Sequence, residues 1–142
     1  MKHRNTQVQV KEFEDLNIFQ VKLPLPFRLN HVNCYLFRDK GGWILIDTGI
    51  NYIEGRRAWA DAMEIIGMKP EEIKAIYLTH HHPDHYGMAG YLQQLSDAPV
   101  YISEMDASGV EIFWINYKEI VPVMGDLFRE NGMPSGLVQE LV

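Results

Sequence analysis

The sequence predicts an α/β protein built on a mixed sheet, and three observations lead there. Four strand-like segments separated by turn residues open the chain, which is the pattern of an antiparallel meander. After residue 47 the pattern changes to helix, strand, helix, strand, an alternation that requires parallel pairing and puts a site at the strands' C-terminal ends. Finally, two polar motifs, Asp47-Thr48-Gly49 and Thr79-His80-His81-His82-Pro83-Asp84-His85, each follow directly on an apolar run.

Strands are expected at residues 8–13, 16–22, 33–38 and 42–47, with Asp39-Lys40-Gly41-Gly42 as a hairpin turn. Leu23-Pro24-Leu25-Pro26-Phe27 is expected to be an extended surface loop, because both prolines lack a ladder donor. Ile53, Trp59, Ala62, Met63 and Ile66 recur at helical steps until Gly67, predicting a helix that lies on the sheet. Pro70 and the acids Glu71 and Glu72 then begin a short turn. Residues 75–78 read as a buried strand, 88–95 as a helix, and 99–102 as the next strand.

The last forty or so residues differ. Val110, Phe113, Trp114, Tyr117, Ile120, Met124 and Phe128 keep helical spacing across an expected break at Pro122, giving two or three helices. Gly132 and Pro134 stop the second, and Ser135 can cap a third through Leu141. Ordinary core packing is the expected role of these apolar residues; an aromatic lid is the sharper alternative. The expected organisation is therefore an α/β part at 1–105 and a helical segment at 106–142.

The histidine motif carries the chemistry. His80, His82, Asp84 and His85 place three imidazoles and a carboxylate within six residues at a strand's end. These are the borderline ligands that hold zinc or iron at ~2.0–2.2 Å, and they converge with little loop-closure cost. Residues two apart in an extended segment share a side, so His80 and His82 can grip one ion while His81 points away. Pro83 bends the path and lets Asp84 and His85 aim at a second ion. A merely polar, adventitiously metal-binding loop would not need Asp84 among the histidines, nor the flanking strand and helix.

At these residues the chain resembles the metallo-β-lactamase-fold, glyoxalase-II-like metallohydrolases, whose signature Thr-His-x-His-x-Asp-His is matched by Thr79, His80, His82, Asp84 and His85. Ile44-Leu45-Ile46-Asp47-Thr48-Gly49 is similar to the family's strand ending in Asp-Thr-Gly, at a typical distance upstream. The resemblance implies the N-terminal half of an αββα sandwich. It also implies two zinc ions per complete site, with iron or manganese as alternatives: His80 and His82 on one, Asp84 and His85 on the other. Asp84 is then also the catalytic residue that orients water, while Asp47, with Thr79, supports the loop from behind as a hydrogen-bond acceptor. Asp47 equally suits capping the turn that follows it, and the two roles are compatible.

The implied reaction is hydrolysis of an ester, thioester, lactone, amide or phosphodiester bond of a small molecule by metal-bound hydroxide. A mononuclear iron sulfur dioxygenase shares the loop and is the enzymatic alternative; a non-catalytic half-domain that self-associates is the other. The family completes its metal shell with a later His, a bridging Asp and a last His, whereas here no His follows His85. His3 and His31 read as ordinary loop or strand-entry residues. With 142 residues against the more than about 200 such a sandwich takes, the chain reads as truncated and by itself inactive. Its uncovered sheet face is then expected to pair with another copy. The resemblance also makes Phe27 a substrate contact at the metal mouth, although packing under the sheet edge is the plainer expectation.

Composition bounds the rest. The chain is 46% hydrophobic and 23% charged with a formal charge of −6, which excludes disorder and argues against a generic nucleic-acid or anionic-membrane surface. Its first residues lack a signal-like apolar region and no stretch approaches a membrane span of ~20 residues, so the expected address is the cytoplasm. Cys34, the single cysteine, sits in a strand pattern and reads as a small buried hydrophobe.

Overall fold

The structure, a computed structural model, describes residues 8–141; His3 lies outside them. The chain divides into two compact units, Met1–Ser103 and Glu104–Val142.

The first unit is built on one six-stranded sheet in the order β1-β2-β3-β4-β5-β6. Its strands are β1 (Gln9–Phe13), β2 (Ile18–Pro24), β3 (His31–Asp39), β4 (Gly42–Ile46), β5 (Ile73–Tyr77) and β6 (Val100–Tyr101). The first four pair antiparallel as the expected meander; β5 and β6 add on parallel, so the sheet is mixed. Helices α1 (Ile53–Ile66), α2 (Pro83–Tyr86) and α3 (Ala89–Ser96) occupy the connections after β4 and β5.

One face of the sheet holds the core. Phe19, Val21 and Leu23 of β2, Val32, Cys34 and Leu36 of β3, and Trp43 and Leu45 of β4 alternate onto it and meet Ala58, Trp59, Ala62 and Met63 of α1. Fully burying such side chains stabilises by roughly 1.5–3 kcal/mol each. Ile73 and Ile76 of β5 also lie in this core although they are three residues apart. A register shift between Trp43 and Ile44 explains it, because the extra β5 residue, Lys74, returns Ile76 to the same side as Ile73. The opposite face carries Phe37, Tyr77 and Tyr101 exposed, with the two tyrosine rings stacked at 4.9 Å.

Several expectations are corrected. Residues 23–27 are not all loop: β2 runs through Leu23 and Pro24, paired with Val32 and His31. Proline is tolerated there because β1 pairs no further than Lys22, which leaves Pro24 on an open edge. The chain then turns back through Leu25 N–H to Asn30 O at 2.9 Å. Phe27 does not pack under the sheet, being 57% exposed. Leu16 belongs to a 3-10 turn before β2 and is exposed, and Ile53 at the start of α1 is exposed as well. Strand β5 is buried on one face only, since Tyr77 points to the open side. As expected, α1 stops at Gly67, in the left-handed region at φ 75°, where its N–H and that of Met68 return to Met63 O.

The second unit consists of α4 (Glu104–Val110), a π turn over Glu111–Ile115, α5 (Tyr117–Glu130) and α6 (Ser135–Leu141). No break occurs at Pro122, which lies inside α5. It stands early in that helix, where a missing N–H costs one ladder bond, to the carbonyl of the exposed Lys118. The interruption comes before it, at Asn116, where the π turn ends. Core packing fails for the aromatic residues here: Phe113, Trp114 and Tyr117 are exposed, whereas Val110, Met124 and Phe128 are half-buried.

Candidate metal centre

Parallel pairing of β4 with β5 brings the two polar motifs together. Asp47 leaves β4 with its N–H on Tyr77 O at 2.9 Å, so the ends of both strands lie side by side. Asp47 adopts φ 59°, a left-handed conformation that Asp tolerates better than most residues. That conformation accompanies a side chain directed across the sheet. At 5% exposure, its Oδ1 accepts the Thr79 backbone N–H (2.8 Å), and its Oδ2 accepts the Thr79 hydroxyl (2.8 Å) and lies 2.8 Å from His85 Nδ1.

The histidines do not share a single loop. His80 and His82 lie on the loop after β5, whereas Asp84 and His85 stand on the one-turn helix α2, with Pro83 at its first position. The His80 ring is 4.7 Å from that of His82 and 4.1 Å from that of His85, and His85 Nε2 is 3.7 Å from Asp84 Oδ2. The His81 ring lies 5.2 Å from that of His82. Partial burial, then the neighbouring His85 and His82, push the His80 pKa below the ordinary histidine value, with Asp47 and Asp84 pulling the other way. The neutral imidazole so favoured is the form that ligates metal.

Two supports were not legible in the sequence. Thr48, fully buried, donates both its N–H (2.7 Å) and its hydroxyl (2.8 Å) to the His85 carbonyl. The buried Trp59 indole of α1 donates to the Thr48 carbonyl at 2.7 Å. Nothing local marks these contacts, since the partners are 37 and 11 residues apart. Gly49, at φ 85°, accepts Met88 N–H and leaves no room for a side chain: a Cβ would sit 2.6 Å from Leu23 Cδ1 and 3.1 Å from Met88 Cε. Gly49→Ala is therefore expected to cost about 2–3 kcal/mol from backbone strain and overpacking, measured as a lowered urea midpoint.

Cys34 lies buried on β3, and burial first, then the Asp47 and Asp84 charges, push its thiol well up, the signature of an inert core residue. His31 opens β3 with its ring against Asn30 Oδ1 at 2.5 Å.

The sequence model of the metallo-beta-lactamase superfamily matches residues 28–122, more than half of the chain and both motifs. The chain belongs to this superfamily. Among curated proteins, a probable metallo-hydrolase, YqjP, of Bacillus subtilis is 35% identical over 81 residues, covering 57% of this chain and 24% of that protein. An uncharacterized protein of Aquifex aeolicus is 35% identical over 78 residues, 53% of this chain and 32% of its own length. Among solved structures, the metallo-beta-lactamase family protein TTHA1429 from Thermus thermophilus superposes with a TM-score of 0.74 at 32% identity, covering 83% of this chain and 39% of that one. MEM-A1, a subclass B3 metallo-beta-lactamase from a soil metagenome library, gives 0.56 at 28% identity, over 67% and 33%. This chain thus spans about a quarter to a third of the curated relatives it matches.

Members of this superfamily bind metal ions, and one pair of donors here can be compared with the spacing that an ion requires. Two donors at ~2.1 Å from one tetrahedral ion stand ~3.4 Å apart, close to the 3.7 Å between His85 Nε2 and Asp84 Oδ2. Among the described residues no group of three or more His, Cys, Asp and Glu side chains is arranged to hold one ion.

Proposed function

We propose that these residues form part of the metal site of a hydrolase that cleaves an ester, thioester, lactone, amide or phosphodiester bond in a small-molecule substrate. The observation that supports this best is a half-exposed pair of donors, His85 and Asp84, at chelating separation, with a buried carboxylate behind them. In this reading His80 and His82 hold one zinc ion and Asp84 and His85 a second; iron or manganese are the alternatives. When bound, such ions lower the pKa of water toward about 7 and polarise the oxygen of the bond under attack.

The chain's own residues orient and hold. Asp84 accepts a hydrogen from the attacking water and so aims its lone pair. Asp47 fixes the ring of His85 through Nδ1, and Thr48 fixes its backbone carbonyl. Two protein donors per ion fall short of the three a catalytic zinc takes, so the 142-residue chain alone is expected to turn over slowly or not at all. A cytoplasmic setting belongs to the same reading, supported by a single, buried cysteine. No helix among the described residues is long and apolar enough to cross a membrane.

The test is the metal content and zinc affinity of the protein purified without chelator. The variant with His80, His82, Asp84 and His85 all changed to Ala should lose zinc affinity by well over the 10–100-fold that loss of an outlying partner costs. Equal zinc content in the two proteins would overturn the assignment.

A further inference from the structure

We infer that one carboxylate, Asp47, dictates which nitrogen carries the proton on two histidines: directly on His85, and on His80 through the hydroxyl of Thr79. The Thr79 hydroxyl oxygen lies 2.8 Å from Asp47 Oδ2 and 2.9 Å from His80 Nδ1. A hydroxyl has one hydrogen, and a carboxylate only accepts, so that hydrogen points at Asp47. The contact to His80 is then satisfied in one way, with Nδ1 protonated and donating to Thr79 Oγ1. His85 Nδ1 lies 2.8 Å from the same Asp47 Oδ2 and must likewise carry its hydrogen.

In the neutral form of each ring Nε2 is thereby bare, the opposite of the Nε2–H tautomer that a free histidine side chain prefers in water. The relay is rigid because Asp47 Oδ1 also takes the Thr79 backbone N–H, which fixes the threonine relative to the carboxylate on two sides. Thr79 is thus a positioning residue: it touches no reacting atom, and it extends the reach of one buried charge across a hydroxyl to a ring that the carboxylate does not touch. The inference deepens the metal-site reading and rests on it only for the purpose of the bare nitrogens; the proton pattern itself is a property of the metal-free chain.

The experiment is long-range 1H–15N correlation of histidine side chains in the 15N-histidine-labelled full chain, stripped of metal and held above the histidine titration range. His80 and His85 are expected in the Nδ1–H form. Thr79→Val should return His80 to the Nε2–H form while His85 keeps its pattern, and Thr79→Ser should restore His80. In parallel, zinc affinity should fall about 10–100-fold in Thr79→Val and recover in Thr79→Ser. His80 found as Nε2–H in the unsubstituted protein, or unchanged by Thr79→Val, would overturn the relay. The expected proton pattern in a protein that binds no zinc would uphold the relay and remove the metal-site reading instead.

Discussion

Asp47→Ala is expected to lower stability by about 3 kcal/mol and zinc affinity by 10–100-fold or more, since it strips the acceptor from three donors at once. Thr79 N–H, the Thr79 hydroxyl and the imidazole of His85 all converge on this carboxylate. A buried donor left unpaired costs about 1–3 kcal/mol, but water can reach the half-exposed histidine side, so the sum is discounted to the lower end. Alanine also tolerates φ 59° less well than aspartate, which adds to the loss. Asp47→Asn separates the effects: it keeps the backbone preference and the Oδ1 acceptor, while its amide meets the Thr79 hydroxyl or His85 with hydrogens where a lone pair was needed. Urea unfolding and zinc titration of both variants measure the outcome. Unchanged midpoints and affinity in Asp47→Ala would show that the loop holds itself.

The second large effect is expected at Trp59. At 1% exposure, this side chain joins α1 to the sheet core, and its indole N–H holds the carbonyl of Thr48. Trp59→Ala should cost about 3–5 kcal/mol from the cavity, with about 1–3 more from the abandoned carbonyl. Against a typical total stability of about 5–15 kcal/mol, that removes much or all of the cooperative transition. Trp59→Phe keeps most of the volume and loses the N–H, so a cost of about 1–2 kcal/mol is expected, with the histidine segment loosened through Thr48. A cost near zero for Trp59→Phe, read from chemical denaturation while Trp59→Ala keeps its full cost, would mean that the hydrogen bond to Thr48 contributes nothing and that only volume matters.

Much of the architecture was legible because its determinants are local. The hairpin over residues 39–42, the helix ended by Gly67 and the short turn opened by Pro70 all follow from nearest-neighbour turn and cap chemistry, and each is where the residues place it. The errors share a cause. Pro24 and Pro122 read as breakers, yet Pro24 sits on an open strand edge where its missing N–H has little to bond, and α5 continues through Pro122 at the loss of one ladder bond to an exposed residue. Residues 75–78 read as a buried strand, yet Tyr77 faces the open side, because an apolar run does not say which face of the sheet another layer covers. Phe113, Trp114 and Tyr117 kept helical spacing but are exposed, for periodicity names a face without naming what covers it.

What the sequence alone determined is the inventory and its placement along the chain: three imidazoles and a carboxylate just beyond one strand, an aspartate at the end of another, and the family they mark. Only the tertiary structure decided how those groups are wired. That Asp47 serves Thr79 and His85 and that Thr48 holds the His85 backbone depend on β4 and β5 lying parallel with their ends level, and that Trp59 holds Thr48 depends on α1 packing back on the sheet. Hydrogen bonds act over about 3 Å, and no local pattern encodes so short a contact between residues 32 to 38 positions apart.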